Sequence, residues 1–212
     1  MFDMDGLLVD SEPVWDDVRE RLADERGGRW HPGAQADMMG MSSLEWSRYM
    51  HDVIGLRESP EEISRVVVER MLVRYADNPP MMDGAVEAVE RLAAVWPLAI
   101  ASSSNPELLD VVLDSTSLRR LFRLTVSSQE VAAGKPAPDV YLEAARRLGI
   151  DPRVCAAIED SHKGILSAKA AGMRTIAIPN PHFPPGDDAL AEADVVIGSL
   201  AELTPQVVDP SR

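Results

Sequence analysis

Apolar positions recur at helical spacing in one region near the start of the chain, from about Val14 to Asn78. Proline, serine and glycine residues mark where its helices should begin and end. The predicted helices run from Pro13 to about Arg26, from Ser42 or Ser43 to Ile54, and from Ser59 through Tyr75. Arg29 to Gly40 shows no clear period, and no strand-like run separates the helices. We predict an all-helical block here.

From Asp83 onward, short apolar runs of strand length alternate with helical segments. The predicted strands are Pro97–Ala101, Leu124–Val126, Val154–Ile158, Thr175–Ile178 and Val195–Ile197. The predicted helices between them are Asn105–Asp114, Asp139–Leu148 and Ser161–Ala171, and a further helix, Val86–Val95, precedes the first of these strands. Strands that are apolar throughout are typical of a parallel sheet covered by helices on both faces. We therefore predict an α/β fold in which the helical block is an insertion.

The first strand of this sheet is predicted at the start of the chain, where Met1-Phe2 runs into Asp3, Asp5 and Gly6. Two apolar residues are few for a central strand. In a strand, Asp3 and Asp5 share a face, and open α/β sheets bind ligands at the carboxyl ends of their strands. Two carboxylates so close together are tolerable when a cation lies between them or when one is protonated. Taken alone, the pattern fits a solvated turn equally well.

Polar side chains follow three further strands of the predicted sheet. They are Ser102-Ser103-Ser104-Asn105, Gly134-Lys135-Pro136 and Glu159-Asp160-Ser161. Hydroxyls and free amides suit a phosphate group, a restrained lysine supplies positive charge, and paired acids suit a cation. Each also has an ordinary interpretation, as a helix N-cap or, for Lys135, as a surface loop. Together with Asp3 and Asp5, the four strand ends favour Mg²⁺-assisted phosphoryl transfer.

Charge and composition limit the classes of partner that the chain is expected to bind. The 212-residue chain has a net charge of −14, which disfavours nucleic acids and anionic membranes. An anionic substrate would need local positive charge, from a divalent cation and one or two basic residues. No stretch is long and apolar enough to span a membrane, and the single cysteine, Cys155, is predicted to be a buried thiol in a strand. We expect a cytoplasmic monomer that acts on a small molecule.

With these motifs in view, the sequence resembles the haloacid dehalogenase superfamily of phosphohydrolases. Four motifs occur in that family's order: Phe2-Asp3-Met4-Asp5-Gly6-Leu7-Leu8-Val9-Asp10-Ser11-Glu12-Pro13, Ser102, Lys135, and Glu159-Asp160. The beta-phosphoglucomutase and sugar-phosphate phosphatase branch fits best, and the opening is similar to those of 2-deoxyglucose-6-phosphatases and hexitol phosphatases. The resemblance implies a Rossmann-like core of residues 1–13 and 79–212 and a helical cap of residues 14–78.

The resemblance also implies a role for each motif residue. Asp3 would be the nucleophile that forms an aspartyl-phosphate, and Asp5 the general acid and then the base. Lys135 would neutralise charge on the nucleophile and on the transferring group, and Ser102 would hold a phosphoryl oxygen. The implied substrate-binding residues are Ser102, Ser103, Asn105 and Lys135. The implied Mg²⁺ site is formed by Asp3, the backbone carbonyl of Asp5, and Asp160, with Glu159 supporting the metal shell.

Two departures from the mutase branch bear on the reaction. That branch carries an arginine for the substrate's second phosphate, whereas the matching stretch here, Gly40 to Leu44, has none. Its histidine is also missing, near Trp15. Water is then the expected acceptor, and we expect a Mg²⁺-dependent phosphatase for a sugar or polyol phosphate. The alternatives are a beta-phosphoglucomutase-type isomerase and a non-catalytic relative that binds a ligand or partner.

Aromatic and sulfur-containing residues in the helical block allow two interpretations. Trp15, Trp46 and the Met38-Met39-Met41 cluster fit a substrate pocket, but packing within a cap is the commoner use of such residues.

Overall fold

The computed structural model describes residues 1–39 and 41–211. Gly40, the first residue of the stretch compared with the mutase branch, lies outside them. The strands are β1 (Leu98–Ser102), β2 (Phe122–Ser127), β3 (Ala156–Glu159), β4 (Arg174–Ala177) and β5 (Val195–Val196). β1 pairs with β2, and β4 lies between β3 and β5, with every pairing parallel. The predicted α/β fold is confirmed.

The start of the chain joins the two halves of the sheet. Phe2 forms parallel bridges to Ile100 of β1 and to Ile158 of β3. The amide of Phe2 donates to the carbonyl oxygen of Ala99 at 2.9 Å, and the amide of Asp3 donates to that of Ile158 at 3.1 Å. The short first segment therefore occupies the centre of the sheet. It delivers Asp3 to the same edge at which β1 and β3 end.

Helices precede the first of these strands and alternate with the later ones along the chain. They are α1 (Glu12–Arg26), α2 (Ala34–Met38), α3 (Ser43–Asp52), α4 (Pro60–Asp77), α5 (Ala85–Ala93), α6 (Pro106–Ser115), α7 (Asp139–Leu148), α8 (His162–Ala170), α9 (Asp187–Glu192) and α10 (Pro205–Val208). The sequence pattern does not predict α2, α9 or α10, because such short helices are too brief to establish a period. Within the described residues, no helix combines the length and the apolar character that crossing a membrane requires.

Alternate residues of β1 pack into different hydrophobic clusters. Ile100 belongs to a cluster that includes Leu92 of α5 and Leu109 of α6. Ala99 belongs to a second cluster, which includes Tyr141 of α7. Because successive side chains of a strand point to opposite faces, this division places α5 and α6 on one face of the sheet and α7 on the other.

The starts predicted at Ser42 and Ser59 and the end predicted near Gly27 are confirmed, whereas α3 ends at Asp52, two residues before the predicted Ile54. Ser42 precedes α3 and forms a capping box with Glu45, whose carboxylate accepts from the Ser42 amide at 2.7 Å. Ser59 precedes α4, and its hydroxyl accepts from the amide of Glu62 at 3.3 Å. Gly27 closes α1 with φ of 74°, a left-handed conformation that favours glycine.

The helical segment, α1–α4, is entered and left through two stretches of chain that pair with each other. Val9 and Met81 form an antiparallel bridge. The amide of Asp10 donates to the carbonyl oxygen of Pro80 at 2.7 Å. Within the segment, α4 packs against α1 and α3, and it also packs against α6. The division of the chain into a core and a cap at residues 14–78 stays a prediction.

The prediction that Cys155 is a buried thiol within a strand is wrong. Cys155 precedes β3 instead of lying in it, and its thiol is only partly buried. A 3₁₀ turn at Pro152–Val154 ends just before Cys155, so the strand starts only at Ala156. The thiol donates to the carbonyl oxygen of Asp151 at 3.4 Å.

Candidate active site

A buried lysine lies at the centre of the polar residues at the sheet edge. The ammonium group of Lys135 lies 2.9 Å from Oδ1 of Asp3 and 2.6 Å from Oε1 of Glu159. All three side chains are almost completely buried. Lys135 comes from the loop before α7, Asp3 from the first segment and Glu159 from the end of β3. The structure thus brings residues of three predicted strand ends into contact. Lys135 itself does not follow a strand directly, because β2 ends at Ser127 and a 3₁₀ turn at Ser128–Glu130 comes between.

Lys135 stays charged in this setting. Burial alone would lower the pKa of Lys135, but the carboxylates of Asp3 and Glu159 outweigh burial and raise it. Burial raises the pKa of Asp3 to about 7; Lys135 opposes this change, whereas Glu159 adds to it. The ammonium group is therefore a fixed positive charge beside a carboxylate that is crowded by other acids.

Glu159 is held by more than the lysine. The hydroxyl of Tyr141 on α7 donates to Oε1 of Glu159 at 2.6 Å, and the hydroxyl of Ser161 donates to Oε2 at 3.2 Å. A Cβ added at Gly164 would lie 2.0 Å from this carboxyl group, so the glycine in α8 leaves the room that Glu159 occupies. Sequence reasoning missed Tyr141 because its position on the apolar face of α7 is typical of a core residue.

Three carboxylates form a group with the donor atoms of a metal site. Asp3, Glu159 and Asp160 each contribute one oxygen, and these oxygens all lie within 4.8 Å of one another. Burial raises the pKa of Asp160 well above its usual range, and Asp3 and Glu159 raise it further. Oδ1 of Asp160 is buried without a hydrogen-bond partner among residues 1–39 and 41–211. Such a crowded set of carboxylate oxygens, with Oδ1 of Asp160 left without a partner in the described structure, fits a hard divalent cation such as Mg²⁺.

The space beside Asp160 depends on Gly6. A Cβ at Gly6 would lie 2.2 Å from Oδ2 of Asp160, and Gly6 itself has φ of 75°. The turn after Asp5 therefore requires glycine both for its conformation and for the close approach of the Asp160 carboxylate.

The carboxylate of Asp5 makes a different set of contacts. Ser104 donates to its Oδ2 at 2.6 Å and Ser102 donates to the same oxygen at 3.3 Å. The indole nitrogen of Trp15 donates to Oδ1 at 3.2 Å. Ser102 was a predicted site residue, whereas Ser104 and Trp15 were not assigned to Asp5. The regular spacing of the serines was a signal for Ser104, since residues two apart at a strand end share a side.

Ser103 and Asn105, the other predicted substrate-binding residues, also line the cavity. Asn105 precedes α6, but its side chain does not cap that helix. Its Oδ1 instead accepts a hydrogen bond of 2.6 Å from the hydroxyl of Ser43 at the start of α3. This buried bond links the sheet edge to the helical segment.

The cavity lies between these residues and the helical segment and has a volume of about 60 Å³. We call the sheet side its floor, which is formed by Asp3, Asp5, Ser102, Lys135 and Asp160 and is supported by Glu159 through its contact with Lys135. We call the other side its roof, which is formed by Glu12, Trp15, Arg19 and Trp46 and is supported by Gln35 through its hydrogen bond with Arg19. Met38, Met39 and Met41 line the cavity as well, so the aromatic and methionine residues of the helical segment do face it.

The roof holds two charged residues that the sequence does not single out. Arg19 is 4% exposed, and its guanidinium carbon lies 4.5 Å from the ring centre of Trp15 and 4.7 Å from that of Trp46. Its Nη1 donates to Oε1 of Gln35 at 3.2 Å, and Nε2 of Gln35 donates to Glu12 at 2.5 Å. Burial raises the pKa of Glu12 to about 7, although Arg19 opposes this change.

Comparison with known proteins gives the geometry a context. The family model for haloacid dehalogenase-like hydrolases matches residues 1–172. Hexitol phosphatase B of Escherichia coli (strain K12) is 34% identical over 96% of this chain and 93% of that protein. (DL)-glycerol-3-phosphatase 2 of Arabidopsis thaliana is 32% identical over 97% of this chain and 88% of that protein. The crystal structure of CbbY from Rhodobacter sphaeroides in complex with phosphate superimposes with a TM-score of 0.85 at 24% identity, over 98% of this chain and 97% of that one.

Proposed function

This chain belongs to the haloacid dehalogenase-like hydrolases, and from that premise we propose that it hydrolyses a sugar or polyol phosphate through an aspartyl-phosphate on Asp3. It is a phosphoric monoester hydrolase, as its phosphatase relatives indicate. The placement of Lys135 between Asp3 and Glu159, at distances of 2.9 and 2.6 Å, is the observation that carries the proposal. A buried ammonium group beside a carboxylate suits the transfer of a dianionic phosphoryl group.

In the first step, a carboxylate oxygen of Asp3 attacks phosphorus and the bond from phosphorus to the substrate oxygen breaks. Asp5 gives its proton to the departing oxygen. In the second step, water attacks the phosphorus of the aspartyl-phosphate, Asp5 takes a proton from that water, and phosphate and the free Asp3 carboxylate result. Hydrogen bonds from Ser102, Ser104 and Trp15 support this role because they fix the Asp5 carboxylate in place.

The floor also supports a Mg²⁺ requirement. Asp3 and Asp160 would hold the ion, with Glu159 beside them, and the ion would offset the charge of the phosphoryl oxygens. The backbone carbonyl of Asp5 is proposed as a further ligand. Ser102, Ser103 and Asn105 are proposed to bind the phosphoryl group, because they lie at the cavity together with Lys135.

The substrate class rests on the relatives and on the roof. Hexitol phosphatase B and (DL)-glycerol-3-phosphatase 2 are named for polyol phosphates. We propose that residues 14–78 act as a cap, which places Trp15 and Trp46 over the leaving group and excludes water during transfer. The presence of all five floor residues predicted to react, bind phosphate or bind metal argues against a non-catalytic relative.

The proposal is tested by phosphate release from a panel of sugar and polyol phosphates, with and without Mg²⁺. We expect turnover to require Mg²⁺ and to disappear in Asp3→Asn, because an amide does not form the aspartyl-phosphate. Asp24→Asn, an exposed substitution on α1, is the matched control and should keep full activity. Circular dichroism would verify that both variants are folded. Undiminished turnover in folded Asp3→Asn would refute the nucleophile assignment.

A further inference from the structure

Arg19 is a buried cation whose hydrogen-bond and ring partners are neutral; the carboxylates of Glu12, Asp5 and Asp16 act on it electrostatically, but no described carboxylate forms an ion pair with it. Its Nη1 donates to the side-chain amide of Gln35, and its plane lies against the rings of Trp15 and Trp46. Its Nε is buried with no hydrogen-bond partner among the residues that the structure describes. The carboxylate of Glu12 accepts its hydrogen bond from Gln35, so the amide stands between the two charges. A buried charge with neutral contacts and an unused donor is costly unless a ligand completes its shell.

The position of Arg19 relates it to the reacting end of the site. Trp15 donates its indole N–H to Asp5, the proposed general acid, and carries the guanidinium of Arg19 against its ring. Arg19 therefore lies one indole ring away from the carboxylate that protonates the leaving oxygen. Arg19 also lines the cavity itself. A group bound by Arg19 belongs to the leaving-group part of the substrate, not to the transferring phosphoryl group.

The proposed phosphate-binding residues and Arg19 line one and the same cavity, so a substrate held by its phosphoryl group presents the rest of its structure to Arg19. Since two indole rings restrict the guanidinium plane, its planar donors are already oriented before a ligand arrives.

We propose that Arg19 is a specificity-determining residue that binds an anionic group, a carboxylate or a second phosphate, on the leaving-group side of the substrate. Guanidinium groups pair with planar carboxylates and with phosphates through two parallel hydrogen bonds, which neutral hydroxyls do not match. The arginine missing from the stretch 40–44 would thus have a counterpart on α1. This inference rests on the proposed phosphatase function and narrows its substrates to phosphorylated acids or bisphosphates.

The test compares substrates that share a carbon skeleton. The pair 3-phosphoglycerate and glycerol 3-phosphate differs by a carboxylate in place of a hydroxymethyl group. The pair fructose 1,6-bisphosphate and fructose 6-phosphate differs by a second phosphate, so the two pairs distinguish the two sources of charge. We expect at least a tenfold higher kcat/KM for the more anionic member of at least one pair. Equal rates, or a preference for the neutral member in both pairs, would overturn the inference.

Substitution of Arg19 assigns the preference to this side chain. In Arg19→Gln, the ratio of kcat/KM within the preferred pair should fall by about 10- to 100-fold, the effect of losing a charge-assisted hydrogen bond. Arg19→Lys keeps the charge without the planar donors and should fall between wild type and Arg19→Gln. Arg21→Gln, an exposed substitution on the same helix, is the matched control and should leave the ratio unchanged. An unchanged ratio in folded Arg19→Gln and Arg19→Lys would contradict the proposal.

Failure of the proposed function would look different. If wild type releases no phosphate even from p-nitrophenyl phosphate, the phosphatase function fails, and calorimetric binding decides about Arg19. Tighter binding of 3-phosphoglycerate than of glycerol 3-phosphate, or of fructose 1,6-bisphosphate than of fructose 6-phosphate, which Arg19→Gln then abolishes, would support the inference. Equal affinity for the two members of each pair would refute the inference.

Discussion

In the floor of the cavity, Lys135 contacts two carboxylates directly, whereas in the roof an amide separates Arg19 from Glu12. Lys135, Asp3 and Glu159 on the floor side and Arg19 on the roof side are almost completely buried, whereas Glu12 is partly exposed. Apart from Lys135, which comes from the loop before α7, the floor is built at strand ends, where neighbouring backbones fix the positions of side chains relative to each other. The roof is built on helices, with Glu12, Trp15 and Arg19 on α1 and Trp46 on α3, and it is supported by Gln35 on α2.

The difference separates two functions of buried charge. A directly paired, fully satisfied charge is rigid and suits groups that must meet a transition state in one geometry. A charge with an unused donor is poised for a partner from outside. The floor therefore has the properties expected of reaction chemistry, which is the same for all substrates, and the roof those expected of substrate selection.

The largest effect should follow removal of the floor's cation. Lys135→Met leaves Asp3 and Glu159 buried without their partner, so we expect a loss of about 3–5 kcal/mol in the free energy of unfolding. Phosphate release should fall by about 100- to 1,000-fold. Urea unfolding in EDTA and the panel assay measure the two. Lys169→Met, at an exposed lysine 3.4 Å from Asp194, is the control and should change stability by well under 1 kcal/mol. Similar losses in both variants would remove the contrast between buried and surface lysines.

A smaller effect should appear in the roof as a dependence on pH. Burial raises the pKa of Glu12 from 4.5 to about 7, so the folded protein binds its proton more tightly than the unfolded chain does. The stability associated with protonated Glu12 is complete below about pH 4.5 and is lost as pH rises to about 7, by roughly 3 kcal/mol in total. Glu12→Gln should remove this part of the decline.

Urea unfolding at several pH values between 4 and 8, in EDTA, measures the difference between wild type and Glu12→Gln. Glu20→Gln, exposed on the same helix, controls for the general loss of a negative charge. If the curves for wild type and Glu12→Gln run parallel across this range, Glu12 does not titrate as a buried acid and the roof is more hydrated than the floor.

The smallest effect should come from the link between roof and floor. The hydroxyl of Ser43 donates to Asn105 at 2.6 Å, and removing one such bond costs about 1 kcal/mol. A double-mutant cycle of Ser43→Ala and Asn105→Ala should give a coupling energy of about that size. Ser47→Ala, which removes a hydroxyl bonded within the same helix, should show no coupling to Asn105→Ala. Zero coupling for Ser43 would mean that the two regions pack independently here.

The same contrast explains what the sequence could predict. Lys135 lies in the loop between β2, which ends at Ser127, and α7, so its approach to Asp3 does not follow from the strand pattern. Asp3 and Asp160, by contrast, stand in short contiguous motifs at the ends of apolar runs, and parallel strands deliver such ends to one edge. Their proximity therefore follows from the fold class, although their roles do not. Tyr141 could not be found in this way, because an aromatic residue on an apolar helix face has the pattern of a core residue whether or not its hydroxyl binds Glu159.

The roof could not be predicted for a different reason. Arg19 and Gln35 come from two different helices, α1 and α2, and meet only in the folded protein. α2 is five residues long, which is too short to produce a recognisable helical period in the sequence. Charged residues on α1 alternate with apolar ones, so Arg19 resembles its exposed neighbour Arg21. The prediction for Cys155 was wrong for a related reason: a hydrophobic pattern locates a strand better than it locates the strand's first residue.

The position of Phe2 has a consequence for the stability of the site. Phe2 holds the two halves of the sheet together, because it pairs with Ile100 on one side and with Ile158 on the other. The next residue is Asp3, so a single peptide bond separates the residue that joins the sheet from the proposed nucleophile. If the pairing of Phe2 with the neighbouring strands were lost, Asp3 would no longer be held beside Lys135. The site therefore forms only when the centre of the sheet is intact.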